Sequence, residues 1–208
     1  AELAIGLTIG LLRHMLPADR AVREGKTSAG LMGREIAGRT VGIVGTGRIG
    51  MITAKLFQAF GAKVIAYSRT HRPEAEALGI RYVELDELMR ESDIVSLHVP
   101  NNANTCGMIG RAQIDAMKPT ALLINCARGP IVDAAALADA LNEGRIAGAG
   151  IDVFDCEPPI PADNPLVNAK NALLTPHVAF LSEESMQRRA EIVFHNLIAY
   201  LKGQPQNV

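Results

Sequence analysis

From Thr40 onward, short apolar runs alternate with longer stretches in which apolar residues recur every three or four positions. Seven runs predict strands, at 41–44, 63–67, 80–83, 93–99, 121–125, 148–153 and 172–174. Between them lie helices with clear punctuation. Pro73 opens one and Gly79 closes it, while Asp133 caps "AAALADALNE" and Gly144 ends it. Strands alternating with helices predict βαβ units: a doubly wound, three-layer α/β fold around a parallel sheet. No internal repeat interrupts the pattern.

The two ends of the chain follow different rules. In "AELAIGLTIGLLRHML", Glu2 and Arg13 bracket too few apolar residues to cross a bilayer, which takes roughly 20. A basic start and a small-residue cleavage site are also missing, so a signal peptide is not indicated. The stretch predicts a buried helix in which Gly6 and Gly10, four apart, admit another backbone. The chain begins without methionine or a capping residue, so we expect residues ahead of Ala1. "DRAVREGKTSAGLMGREIAG" then predicts a polar connection. At the other end a helix over 183–202, capped by Ser182, carries a stripe of Met186, Ala190, Val193, Leu197 and Tyr200 that we expect to pack on another element. Gly203 and Pro205 end it. The expected organisation is a helix and connection over 1–30, a dinucleotide-binding domain over 31–181, and a linking helix over 182–208.

Composition narrows the function classes. The 208 residues are 48% hydrophobic and 21% charged, ordinary values for a globular domain. A net charge of -1 argues against nucleic-acid and membrane-surface roles, which rely on basic excess. Cys106, Cys126 and Cys156 are odd in number and lack CxxC spacing. They suggest neither a disulfide framework nor a metal site, and they fit a reducing cytoplasm.

The first chemical signal is "TVGIVGTGRIG", which sets Gly45, Gly47 and Gly50 in GxGxxG spacing after an apolar run and before the helical "MITAKLFQAFG". That context predicts the phosphate loop of a Rossmann domain, with glycines for a tight turn, close approach to pyrophosphate and helix–strand packing. An acid about 20 residues further on would hold an NAD ribose. Here the second strand ends in Ser68-Arg69-Thr70-His71-Arg72. Ser68 removes the repulsion a carboxylate would exert on a 2′-phosphate, and Arg69, with Arg72, can bind that phosphate, which favours NADP(H). The same residues also fit a solvated basic loop beside an NAD site whose ribose is held by backbone groups. A methyltransferase would want an acid here as well.

The second signal is a set of polar residues behind later strands. "LLINCARGPIVD" places Arg128, "AGIDVFDCEPP" places Asp152 and Glu157, and "LLTPHVAF" places His177. In a doubly wound sheet the carboxyl ends of the strands are where ligands sit, so residues far apart in sequence can converge there. Arginine clamps a carboxylate, and a histidine beside a carboxylate is oriented and kept protonated for acid catalysis. Each also has a plainer reading: a turn arginine, a turn-capping aspartate, a solvated glutamate and a core histidine. Cys126 and Cys156 lack an activating base and read as packing residues.

Taken together, "GIVGTGRIG", "NCARGPIVD", "GAGIDVFDCEPP" and "LLTPHVAF" resemble the D-isomer-specific 2-hydroxyacid dehydrogenases over essentially the whole chain. The resemblance implies an oxidoreductase that moves hydride between NAD(P)H and a 2-keto acid, with Arg128, Glu157 and His177 as its catalytic set. It puts Arg48 and Ile49 at the pyrophosphate, Ser68 at the adenosine ribose, and Val99 and Pro100 at the adenine. Cys126 and Ala127 would follow the nicotinamide ribose, Asp152 the carboxamide, and Thr105 and Ala179 would complete the cofactor contacts. Relatives carry a further amino-terminal part of a substrate domain and form homodimers through this domain, with the first helix at the interface. Ala179-Phe180, where many relatives have glycine, is similar to glycerate dehydrogenase and hydroxypyruvate reductase members. Phosphoglycerate dehydrogenases are close behind, whereas formate-type members usually carry glutamine where Glu157 stands. A nucleotide-sensing corepressor scaffold of the same fold would retain the same polar trio.

Overall fold

The computed structural model describes residues 1–156 and 158–207. The chain forms two compact units, Ala1–His177 and Val178–Val208. Elements of the first unit run, in chain order, α1 (Glu2–Leu12), α2 (Met15–Arg23), β1 (Thr40–Val44), α3 (Arg48–Ala59), β2 (Lys63–Tyr67), α4 (Pro73–Ala77), β3 (Arg81–Tyr82), α5 (Leu85–Glu91), β4 (Ile94–Leu97), α6 (Arg111–Asp115), β5 (Leu122–Asn125), α7 (Ala134–Asn142), β6 (Gly148–Ile151) and β7 (Ala172–Leu174). Among the described residues the sheet has seven strands in the order β3-β2-β1-β4-β5-β6-β7, and every pairing is parallel. This is the doubly wound, Rossmann-type α/β arrangement.

Side-chain alternation along the central strands explains the layers. Val41 and Ile43 of β1, Ile94 of β4, and Leu122 and Ile124 of β5 join a core cluster with α1 and Phe57 of α3. Their neighbours Val44, Val95, Leu97 and Leu123 join the opposite cluster, with α5, α6 and α7. Successive side chains of a strand point to opposite faces, so an unbroken apolar run must be covered on both sides.

All seven predicted strands are present, several of them trimmed at their ends. The expected 93–99 strand is only Ile94–Leu97; the His98 N–H still donates to Val44 O, and the chain leaves the ladder beyond it. The Asp133 side chain accepts the Ala136 N–H at 2.9 Å, the cap expected from sequence, a bond of order 1 kcal/mol. Gly79 and Gly144 follow their helices at φ +72° and +71°.

Two expectations near the start are corrected. The predicted polar connection begins with a helix: α2 follows a break at His14, whose φ of 50° lies in the left-handed region. Of the two glycines in α1, only Gly10 has a close neighbour, and that neighbour is a side chain. A Cβ there would lie 2.8 Å from Leu173 Cδ2, while Gly6 faces open space. The close helix–sheet approach comes instead from β6, where Cβ atoms on Gly148 and Gly150 would crowd Leu11 and Leu7 of α1.

In the second unit, α8 (Glu183–Leu201) is capped as expected, the Ser182 hydroxyl accepting the Ser185 N–H. Met186, Ala190, Val193, Leu197 and Tyr200 of its apolar stripe are exposed in this chain. Among the described residues no helix is long and apolar enough to cross a membrane.

Candidate functional site

Because all strands run the same way, their carboxyl ends share one edge of the sheet. Gly45 to Gly50 follow β1, Ser68 and Arg69 follow β2, and Val99, Pro100 and then Thr105 follow β4. Cys126, Ala127 and Arg128 follow β5, Asp152 follows β6, and His177 stands three residues past β7. Ala179 belongs to the second unit. The predicted catalytic acid, Glu157, lies outside the described residues.

The glycine loop is shaped by three different constraints. Gly45 donates its N–H to Tyr67 O at 2.7 Å and adopts φ +98°, where a side chain is strained. A Cβ on Gly50 would sit 2.0 Å from Gly45 O, so only glycine lets α3 start this close to β1. Gly47 differs: a Cβ there would meet nothing within 4 Å. It is the N-cap of α3 without a side-chain hydrogen bond, and the first turn, which starts with exposed Arg48 and Ile49, carries no acid. First-turn N–H groups beside open space, at the positive end of a 12-residue helix, suit a diphosphate. The residues therefore fit a dinucleotide.

This contrast makes a prediction. Gly47→Ala should leave the melting temperature within about 2 °C, because φ of -66° suits alanine and no atom is displaced. It should nonetheless weaken dinucleotide binding at least about tenfold by filling the cradle. Titration of cofactor fluorescence checks it, and undiminished affinity would remove Gly47 from the site.

His98, which sequence reasoning passed over, lies directly behind this loop. Its carbonyl is the atom a Cβ on Gly45 would strike, and its Nε2 is 2.9 Å from Ser96 Oγ. Burial pushes its pKa down to about 4, so the ring is neutral at pH 7. The unfolded chain therefore takes up this proton first as pH falls below 6.5, and stability drops until about pH 4. One such proton corresponds to about 1.4 kcal/mol per pH unit. His98→Gln should flatten the pH dependence of unfolding free energy by that amount across the window, as read from denaturant titrations; an unaltered slope would contradict the burial argument. A polar residue at the end of the wholly buried run "IVSL" was the available signal.

Further along the edge, hydrogen bonds link successive strand ends. Buried Asn125 clamps its own loop, donating from Nδ2 to Arg128 O at 3.0 Å and accepting the Ala127 N–H at Oδ1. The Asp152 N–H donates to Asn125 O at 2.9 Å, and the His177 N–H donates to Asp152 O at 2.8 Å. Asp152 is buried, and its Oδ1 accepts the Thr175 hydroxyl at 2.5 Å. Arg128, Asp152 and His177 are thus neighbours on one hydrogen-bonded line, Arg128 exposed and His177 partly so. His177 holds φ 59°, uncommon for a residue with a side chain and the kind of strain that collects at functional sites.

Gly129 locks this line from behind. A Cβ there would lie 1.9 Å from Phe154 O, so the loops after β5 and β6 touch backbone to backbone. Asn125 and Gly129 were not singled out from sequence, although both lie within "NCARGPIVD". Cys126 behaves as the sequence suggested: burial first, then the charge of Asp152, pushes its thiol up to about 12, so it is no nucleophile.

The family of D-isomer specific 2-hydroxyacid dehydrogenases, NAD binding domain, matches residues 5–179. The chain belongs to this family. A glyoxylate reductase of Korarchaeum cryptofilum is 46% identical over the whole chain, which spans 64% of that protein's length. A D-lactate dehydrogenase from Aquifex aeolicus complexed with NAD and lactic acid superposes with a TM-score of 0.91 at 33% identity, covering 98% of this chain and 66% of that one. An acyclic imino acid reductase in complex with NADPH and D-Arg gives a TM-score of 0.91 at 34% identity, covering 100% and 66%.

Proposed function

We propose that the protein carrying this chain uses a nicotinamide dinucleotide to interconvert a 2-keto acid and its D-2-hydroxy acid, the substrate being glyoxylate, hydroxypyruvate or a phosphorylated relative. The observation that carries the reading is the line Arg128–Asp152–His177 on the sheet edge that also bears the glycine loop. The dinucleotide, when bound, supplies or accepts the hydride. Arg128, exposed beyond β5, clamps the substrate carboxylate through paired N–H donors and polarises the adjacent carbonyl. His177 gives a proton to the carbonyl oxygen in reduction and takes it from the hydroxyl in oxidation. Glu157 is the acidic member of this catalytic set.

On the cofactor side, Arg48 and Ile49 accompany the glycines at the pyrophosphate, and Val99 and Pro100 flank the adenine. Thr105, Cys126, Ala127 and Asp152 complete the contacts within the first unit. Ser68 with Arg69 favours NADP(H) over NAD(H): both arginines of the 68–72 loop are exposed, and neither is in an ion pair among the described residues. The assembly is a homodimer with α1 at the interface, acting in a reducing cytoplasm, which the free state of all three cysteines fits. Relatives and neighbours named as reductases and dehydrogenases, one solved with NAD and one with NADPH, support the reading.

The test is turnover by the full-length protein with glyoxylate and hydroxypyruvate, alongside binding of NADPH and NADH to this chain. A kcat near or above about 1 s⁻¹ is expected. Negligible turnover combined with cofactor-dependent dimerisation would replace the enzyme with a nucleotide-sensing scaffold.

A further inference from the structure

The loop after β2 is held in place by a residue that sequence reasoning did not connect with it. β3 is only two residues long and lies at the sheet edge, with Tyr82 paired to Ala66 near the end of β2. The Tyr82 ring stacks on the His71 imidazole, centroids 4.0 Å apart and planes 9° from parallel. Its hydroxyl accepts the Arg72 N–H at 3.0 Å and donates to Thr46 Oγ1 at 2.9 Å. The Thr46 hydroxyl donates in turn to Thr70 O at 3.4 Å. The circuit therefore leaves the 68–72 loop at Arg72, passes through Tyr82 to Thr46 between the first two glycines, and returns to the same loop at Thr70. Thr46 is buried, so the circuit has a fixed anchor.

We propose that Tyr82 is a positioning residue for nucleotide discrimination, holding the Ser68–Arg72 loop at a set distance from the glycine loop so that its cations meet a ribose 2′-phosphate. The inference rests on the NADP(H) reading given above. A dinucleotide is gripped at its pyrophosphate by one loop and at its adenosine ribose by the other, so the spacing between the loops decides whether both grips are made together. Arg69 and Arg72 are exposed, with long side chains that lose rotamer freedom on binding. A backbone already held in place reduces what must be ordered when the phosphate arrives. A ribose 2′-hydroxyl presents no dianion to these cations, so NADH gains little from the arrangement. Loss of the phenol therefore acts on one nucleotide more than on the other.

The experiment is titration of NADPH and NADH against the wild-type chain and against Tyr82→Phe, His71→Ala and Arg69→Ala, each with a thermal melt. Tyr82→Phe keeps the ring stack and removes two hydrogen bonds; NADPH affinity should fall about tenfold and NADH affinity should change less than about twofold. His71→Ala removes an exposed partner and should shift the NADPH/NADH ratio the same way, by about threefold. A tyrosine serving only to support the fold would weaken both nucleotides alike or lower the melting temperature with the ratio intact, and either result overturns the proposal. If Tyr82→Phe fails to fold, His71→Ala decides by the same ratio. A wild-type chain that prefers NADPH, loses that preference in Arg69→Ala and keeps it in the Tyr82 and His71 variants rejects the positioning role alone. A wild-type chain indifferent to the 2′-phosphate rejects the NADP(H) reading, and this inference with it.

Discussion

Replacing His177 by alanine in the full-length protein should lower kcat at least about a hundredfold, the range for a lost general acid, while dinucleotide affinity changes less than about twofold. The separation follows from geometry. The main-chain N–H of His177 donates to Asp152 O, a tie that the substitution retains, and the residue holds φ 59°. Alanine is less content than histidine or asparagine in the left-handed region, a cost of about 1 kcal/mol. His177→Asn is the companion variant: it tolerates that backbone and cannot deliver the proton. Both variants should be equally inactive with NADPH binding preserved; near-normal turnover in either would take His177 out of the chemistry.

Gly129→Ala should be the most damaging single methyl group in the molecule. The added Cβ would sit 1.9 Å from Phe154 O, 2.0 Å from Phe154 C and 2.6 Å from Asp155 N. All three are main-chain atoms, so no rotamer change relieves the overlap, and the loops after β5 and β6 must separate. Overpacked cores typically lose 1–3 kcal/mol, and a backbone clash belongs at or beyond the upper end, about 3 kcal/mol. For a domain of this size that lowers the melting temperature by about 10 °C. Because Arg128 precedes Gly129 and Asp152 stands two residues before Phe154, the substrate KM in the full-length protein should also rise more than the cofactor KM. Calorimetry of the 208-residue chain reads the first effect and steady-state kinetics the second. A melting temperature within about 2 °C of wild type would show that the two loops do not meet as described.

The contrast between glycines shows where a sequence stops informing. "GTGRIG" is legible as a motif, yet the three glycines look alike on paper. In the fold Gly45 is required for its torsion, Gly50 for its distance from Gly45 O, and Gly47 for the space it leaves empty. Gly129 lies outside the glycine motif and is the most tightly constrained of the four, because its neighbour is Phe154, on a loop 25 positions away. Likewise Tyr82 reads as an ordinary strand residue, since its partners Thr46, His71 and Arg72 belong to two other loops.

The sequence by itself determined the elements and their kind. Seven apolar runs became seven strands, Asp133 and Ser182 became helix caps, and the glycine loop fell between a strand and a helix, because these features depend on periodicity and on groups a few residues apart. It also marked the residues whose chemistry matters at the strand ends, since polar groups that directly follow buried runs stand out. Only the tertiary structure decided the strand order, the left-handed break at His14 that starts α2, the desolvated ring of His98, and the hydrogen-bonded line from Asn125 through Asp152 to His177. Those depend on contacts between segments distant along the chain, whose free energies come from burial and main-chain pairing that no local pattern encodes.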